Sequence, residues 1–234
     1  MTAMANDLSL VADNTARLVA TARSVDDVAA ESLCEGWTRG HVLTHVARNA
    51  EAVGRLAQWA VSGEPQQMYP GGTQARDAAI AAGAGRPPGE LVEDLLRTAD
   101  ALVPRLEALS GPLSTDRVEM RGGLAVDAHT LPFLRLRELV FHHVDLDAGF
   151  TFEDVDDDLL RRFVDDAVTR LRRHPDAPRV SLRSTTGGSW SVSEGPGGGV
   201  TVTGTPAGLL LWLARRDPAA VSADGALPEL PRGA

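Results

Sequence analysis

The stretch Leu131–Leu146, LPFLRLRELVFHHVDL, is the segment from which the rest of the chain is best understood. Taken as one helix, it sets Glu138 and His142 four positions apart, on one face and one turn from each other. At that spacing a carboxylate and an imidazole can grip one metal ion. Leu131, Leu134 and Phe141 fall on or beside the same stripe, so the pair points into the interior of a helical assembly. A carboxylate carried inward needs a partner, and a divalent cation is one. The same spacing occurs by chance on many helices, where His142 is a core histidine bonded to Glu138 or to a backbone carbonyl; both readings stand on this segment alone. His143 points about a quarter turn away. Asp145, three residues past His142, is placed either to orient an imidazole or to end the helix in water.

Upstream, apolar positions from Asp7 to Arg23 follow a helical period. A second helix is expected to start after Thr38, a suitable N-cap preceded by Trp37, and to run toward Gly63. It carries His41 and His45 one turn apart, followed by Arg48 and Asn49. One of these histidines is a candidate third ligand, although a half-exposed helix face accounts for the pair equally well. The stretch EPQQMYPGG is loop-like, and Thr73 is expected to cap a short helix containing Arg76 and Ile80. Pro87 and Pro88 mark another helix start, and Leu91, Leu95, Leu102, Leu106 and Leu109 form its stripe, with Pro104 predicting a kink or an early stop. Val118 and Met120 set against Leu124 and Val126 across Gly122-Gly123 suggest a small hairpin, after which Thr130 caps the central helix.

Downstream, Asp156 opens a helix with Leu159, Leu160, Phe163, Val164, Ala167, Val168 and Leu171 on its apolar side. After His174 the period changes. PDAP has the character of a linker, and Val180, Leu182, Trp190, Val192, Val200 and Val202 alternate with polar residues across Gly-rich turns. Three short strands and a helix over Pro206–Arg215 are expected there, giving an α+β chain with a helical domain over 1–175 and a small α/β domain over 176–234.

A formal net charge of -9 argues against a nucleic-acid surface or an anionic membrane as partner, because phosphate binding needs clustered cations. The single cysteine, Cys34, excludes an intrachain disulfide and a Cys-rich zinc module. With no base or helix N-terminus evident beside it, Cys34 is expected to be a small buried apolar side chain. The N-terminus lacks a basic segment followed by an apolar core, and the apolar run Leu209–Ala214 is too short to span a bilayer, so a cytoplasmic protein is expected.

The segments EGWTRGHVLTHVARNAEAV, MYPGGTQARDAAI and LRLRELVFHHVDLDAG, spread between Glu35 and Gly149, resemble the mycothiol-dependent maleylpyruvate isomerase family, a branch of the DinB-like metal-dependent thiol enzymes. The resemblance implies a DinB-like four-helix bundle followed by a sterol-carrier-protein-like α/β domain. It implies zinc bound by His45, Glu138 and His142, with His41 a neighbour, though other divalent metals accept the same donors. It places functionally required arginines on Arg76 and Arg216; Arg215 stands where the family has a glycine, which leaves that register open by one. No protein nucleophile is evident, so an external thiol, mycothiol, is expected to supply the sulfur. The implied reaction is reversible thiolate addition to a small anionic substrate, maleylpyruvate or a similar cis enedioate, to give fumarylpyruvate. A mycothiol S-transferase needs the same site, and a carrier of apolar ligands with a merely structural bundle is the rival of another class. The oligomeric state is not legible in the sequence.

Overall fold

The longest helix, α2 (Arg39–Ser62), begins and ends where local chemistry dictates. The Thr38 side chain accepts from the His41 amide, and His41 Nδ1 accepts in return from the Thr38 amide, which satisfies two amides that the first turn leaves without partners. Gly63 closes the helix at φ 78°, a conformation that costs glycine nothing. The computed structural model describes residues 3–193 and 199–231 and is α+β, mostly helical with small sheets.

Around α2 stand α1 (Ala3–Arg23), α3 (Gly72–Ala84), α4 (Pro88–Glu107) and α5 (Leu131–Asp145). α2 packs on α3, α4 and α5, while α1 packs on α4 and α5, so the four long helices close a ring around one core. Val42, Val46, Val53 and Leu56 of α2 meet Leu91, Leu95, Leu102 and Leu106 of α4 and Leu136, Leu139 and Val140 of α5 in that core. Each such side chain contributes roughly 1.5–3 kcal/mol relative to leaving it in water. α3 comes unusually near, because Gly40 leaves room: a Cβ there would lie 2.1 Å from the Ala84 carbonyl oxygen. Between α4 and α5, β1 (Arg117–Glu119) and β2 (Ala125–Asp127) pair with Val118 opposite Val126, as the alternation around Gly122-Gly123 predicts.

Several local expectations change. Thr73 lies inside α3, whose cap is Gly71 at φ 81°, because glycine takes the left-handed turn that threonine resists. Pro104 neither stops α4 at its own position nor ends it at once; the helix reaches Glu107 and tightens into a 3₁₀ turn. The capping side chain ahead of α5 belongs to Asp127, which accepts from the His129 amide, while the Thr130 hydroxyl donates to the Asp127 carbonyl.

The chain divides into two units, Met1–Phe150 and Thr151–Ala234, not at residue 175 as the change of period suggested. α6 (Asp157–Arg172) has the amphipathic pattern of a bundle helix, but its apolar side packs on α7 (Pro206–Arg215), so it belongs with the later segment. Periodicity tells that a face is buried and not against what. In this second unit β3 (Val180–Ser184), β4 (Ser189–Ser191), β5 (Val200–Gly204) and β6 (Val221–Ala223) form one sheet in the order β4-β3-β5-β6. β3 and β5 run parallel, and the other neighbours antiparallel. The fourth strand, β6, was not expected; three residues are too few to show a period. The Gly-rich turn before β5, over 194–198, and the last residues, 232–234, lie outside the described residues. No described helix is long and apolar enough to cross a membrane.

Candidate metal centre

α2 and α5 each bring two polar side chains one turn apart to the same place, His45 with Asn49 and Glu138 with His142. His45 Nε2 lies 3.1 Å from Glu138 Oε2, and His142 Nε2 lies 3.6 Å from the same oxygen. The three residues offer ligand atoms within 4.8 Å of one another. Asn49 donates to Glu138 Oε2 at 3.3 Å and is itself oriented by Arg135, whose Nη1 donates to Asn49 Oδ1 at 2.8 Å and to the Val46 carbonyl at 2.9 Å. Arg135 is fully buried, and desolvation brings its pKa down to about 10.

Each imidazole is also held from behind. His142 Nδ1 donates to Asp145 Oδ2 at 2.8 Å, the arrangement by which carboxylates orient metal-binding histidines. Asp145 is completely buried, so its role as a helix end in water is excluded, and it also accepts from Cys34 Sγ at 3.1 Å. Cys34 is thus a hydrogen-bonding part of the centre and not an inert apolar filler; its partner is 111 residues away and invisible to local inspection. His45 Nδ1 accepts from Arg76 Nη2 at 3.2 Å, which places the proton of the neutral ring on Nε2, facing Glu138.

The electrostatics follow from burial and these contacts. Burial lowers the His45 pKa to about 4, with His142 nearby pushing the same way, so this ring is neutral at physiological pH. For Glu138, burial works to raise the pKa, but hydrogen bonds from His142 and His45 outweigh it and hold the carboxyl well below its usual range. Burial likewise opposes a charge on His142, yet the bonds to Asp145, Cys34 and Glu138 raise its pKa well above the ordinary value. The centre therefore combines a neutral imidazole, a carboxylate and an imidazolium whose proton stands where a cation would. Two imidazole nitrogens and one carboxylate oxygen suit a borderline cation such as Zn²⁺ and leave one coordination position for another ligand.

These groups line a cavity of about 400 Å³, walled also by Trp37, Met68, Tyr69, Met120 and the guanidinium groups of Arg76, Arg121 and Arg137. Trp37 packs its ring 5.4 Å from His45 and 6.5 Å from His142, centroid to centroid. Arg76 lies over both Trp37 and Tyr69 and pairs with Asp77. His41 is not part of the cluster; its ring closes the Thr38 cap, Nδ1 accepting from the Thr38 amide and lying 2.8 Å from its hydroxyl. His143 is bonded to Thr21 and stacked on Phe150. Arg216 belongs to the second unit; it caps α7 at φ 63°, and its guanidinium donates to the carbonyls of Leu213 and Pro231. Sequence inspection missed Asn49, Arg135 and Arg121 as parts of the site: Asn49 lies one turn from His45 and Arg135 one turn from Glu138, but an asparagine or arginine at that spacing carries no metal signal, and Arg121 lies in the hairpin turn, outside both helices.

A known family matches the chain in sequence, and solved proteins match it in structure. A family profile described as the mycothiol maleylpyruvate isomerase N-terminal domain matches residues 8–147, and one described as the MDMPI C-terminal domain matches residues 153–232. No curated protein sequence matches the chain. Among solved structures, the crystal structure of the mycothiol-dependent maleylpyruvate isomerase is similar at a TM-score of 0.89 and 29% identity, covering 98% of this chain and 97% of that one. A histidine-to-alanine mutant of that isomerase gives 0.88 at the same identity and coverage. Matched over most of its length in both sequence and structure, the chain belongs to the mycothiol-dependent maleylpyruvate isomerase family of thiol-dependent isomerase enzymes.

Proposed function

We propose that this enzyme is a zinc- and mycothiol-dependent cis–trans isomerase that converts maleylpyruvate, or a similar cis enedioate, to fumarylpyruvate. His45, Glu138 and His142 are its metal ligands, and Arg76 and Arg216 its carboxylate-binding cations. The observation that carries the proposal is the convergence of two imidazoles and a carboxylate from α2 and α5 on the floor of an arginine-lined cavity. The same reading makes α1, α2, α4 and α5 a DinB-like four-helix bundle and the second unit a sterol-carrier-protein-like domain, which suits the ring of long helices and the small sheet with α6 and α7.

When bound, the cation supplies acidity to a thiol ligand, so that sulfur is presented as thiolate at neutral pH. Asp145 and Cys34 hold the His142 ring so that Nε2 faces inward, and Arg135 holds Asn49 against Glu138. A histidine that gives its Nε2 lone pair away carries its proton on Nδ1. His45 in that tautomer would no longer accept from Arg76, which would free the guanidinium for an anionic group in the cavity. The substrate's activated C=C bond takes up sulfur, becomes a single bond in the resulting enolate, turns, and expels the thiol to leave the trans product. Arginine suits both ends of this course, matching a carboxylate through two parallel hydrogen bonds and stabilising the enolate charge.

The test is a product assay with metal-loaded protein, mycothiol and maleylpyruvate. The expected result is fumarylpyruvate formed at constant thiol concentration. A stable adduct with thiol consumed one for one assigns the site to an S-transferase instead, and neither product removes both readings.

A further inference from the structure

Where α1 packs on α4, alanines stand in place of interlocking side chains. Ala12 and Ala16 lie one turn apart on α1 and Ala99 lies across from them on α4, so the ridges that would fill the space between the helices are missing. The result is a groove of about 330 Å³. Its walls are Val11 and Val19 of α1 with Leu96, Leu102 and Leu106 of α4, and Val103, 43% exposed, stands at its rim. It shares no lining residue with the cavity at the candidate metal centre. The volume lies at the lower end of the range for small-molecule sites, about 300–1,000 Å³, which suits a short chain or a single ring.

One residue of this apolar groove is out of keeping with the rest. Arg135 of α5 closes it from within, 1% exposed. Its Nη1 makes two hydrogen bonds, to Asn49 Oδ1 and to the Val46 carbonyl, whereas its Nε is buried without a hydrogen-bond partner among the described residues. Glu138, whose charge favours the protonated guanidinium, is bonded to Asn49, and among the described residues no carboxylate forms an ion pair with Arg135. A buried charged donor of this kind calls for a partner. Nε and Nη2 form an edge by which a guanidinium takes a carboxylate through two parallel bonds. Arg23 and Asp100 also line the groove; both are exposed and opposite in charge, so they offset each other and Arg135 sets the sign of the interior. A ligand that answers both features carries one carboxylate and an apolar body.

We propose that the groove between α1 and α4 is a binding site for a small free monocarboxylate with an apolar body, whose carboxylate pairs with the Nε edge of Arg135. The site goes beyond the isomerase reading and does not rest on it. Octanoate is the probe, titrated calorimetrically into wild type, with octan-1-ol as its uncharged counterpart. Octanoate is expected to bind at least about tenfold more tightly than the alcohol, as a charge-assisted bond made in an apolar place requires. Ala16→Phe fills the groove from its exposed side and leaves Arg135 untouched; it is expected to weaken octanoate about tenfold or more. Arg135→Met, with its fold checked by circular dichroism, is expected to bring octanoate down to the affinity of the alcohol. Should that variant unfold, Ala16→Phe and a second readout decide. With octanoate labelled at its carboxyl carbon, ¹³C NMR is expected to show the bound acid still ionised about one pH unit or more below the free acid, because a neighbouring guanidinium favours the carboxylate. An alcohol that binds as tightly as the acid overturns the proposal. So does an octanoate affinity that Ala16→Phe leaves unchanged, or a bound carboxyl that protonates at the same pH as the free acid or above it.

Discussion

Two carboxylates meet α2 from neighbouring helices, and they are answered differently. Asp94 of α4, with 6% of its side chain exposed, is met by Arg48 and Arg86 at 2.7 Å and also by Arg97. Burial works to raise its pKa, and the hydrogen bond from Arg86 and the charge of Arg48 bring it down. Glu138 of α5 keeps 25% of its side chain open; its Oε2 is met by two imidazoles and an amide, while a guanidinium, that of Arg137, stands 3.9 Å from its Oε1. A guanidinium keeps its charge through the neutral range, so Asp94 carries its own lasting counter-ions and ties α2 to α4. An imidazole is a cation only while it holds a proton, and without it becomes a metal ligand. The first arrangement is finished without a ligand. The second relies, at the oxygen facing the cavity, on imidazoles whose charge depends on a proton.

The contrast can be broken at either carboxylate. Asp94→Ala leaves three arginines around a lost partner, two of them partly buried, and is expected to lower stability by about 3–5 kcal/mol with cation affinity intact. Urea titration and competition with a chromogenic chelator measure the two quantities on the same sample, and a large loss of cation affinity would mean that the latch and the centre are one unit. Glu138→Gln is expected to do the reverse. Cation affinity should fall at least about 100-fold, since even the outer partners of metal ligands are worth about 10–100-fold, with a much smaller shift in the urea midpoint. Unchanged affinity would remove Glu138 from the ligand set.

The pH dependence sharpens the distinction with a smaller effect. His142 has its pKa raised well above 6.5, so as a proposed ligand it would have to give up a proton to a cation at neutral pH, whereas His45, lowered to about 4, has none to release beyond the one it carries as a neutral ring. Cation affinity should therefore rise about tenfold per pH unit until the pH passes the raised pKa of His142, then level off. Calorimetry in buffers of different ionisation enthalpy should count one proton released per cation. A count of zero or two would contradict this assignment of charge.

Much of this was legible early, for particular reasons. Thr38, Gly63, Pro88 and Asp156 mark helix ends because caps act over three or four residues, and the hairpin follows from glycines that must turn. The spacing of Glu138 and His142 is likewise a property of one helix. The choice between His41 and His45 is not, since both lie on α2; the family resemblance points to His45, and the physical difference lies in the environment, where one closes a cap and the other is buried against Glu138. For the same reason Cys34 reads as a small apolar side chain in the sequence and Asp145 stays open between orienting an imidazole and ending the helix in water, and α6 was assigned to the wrong side of the chain because its partner, α7, lies beyond the strands.

Local backbone sterics, capping and hydrophobic period act within a few residues, and from them the chain specifies its helices, its hairpin and the one-turn spacing of Glu138 and His142; that pair shares a half-buried edge of α5 with Leu134 and Phe141, beside the buried face of Leu136, Leu139 and Val140. The meeting of His45 with Glu138 joins residues 93 positions apart, and no short-range force can bring that about. It arises from packing, where the apolar faces of α2 and α5 are buried together and carry their polar residues with them into a place that water reaches poorly. The contrasting pKa values of His45 and His142 have the same origin, for burial and charged neighbours are properties of that place and not of the imidazole ring.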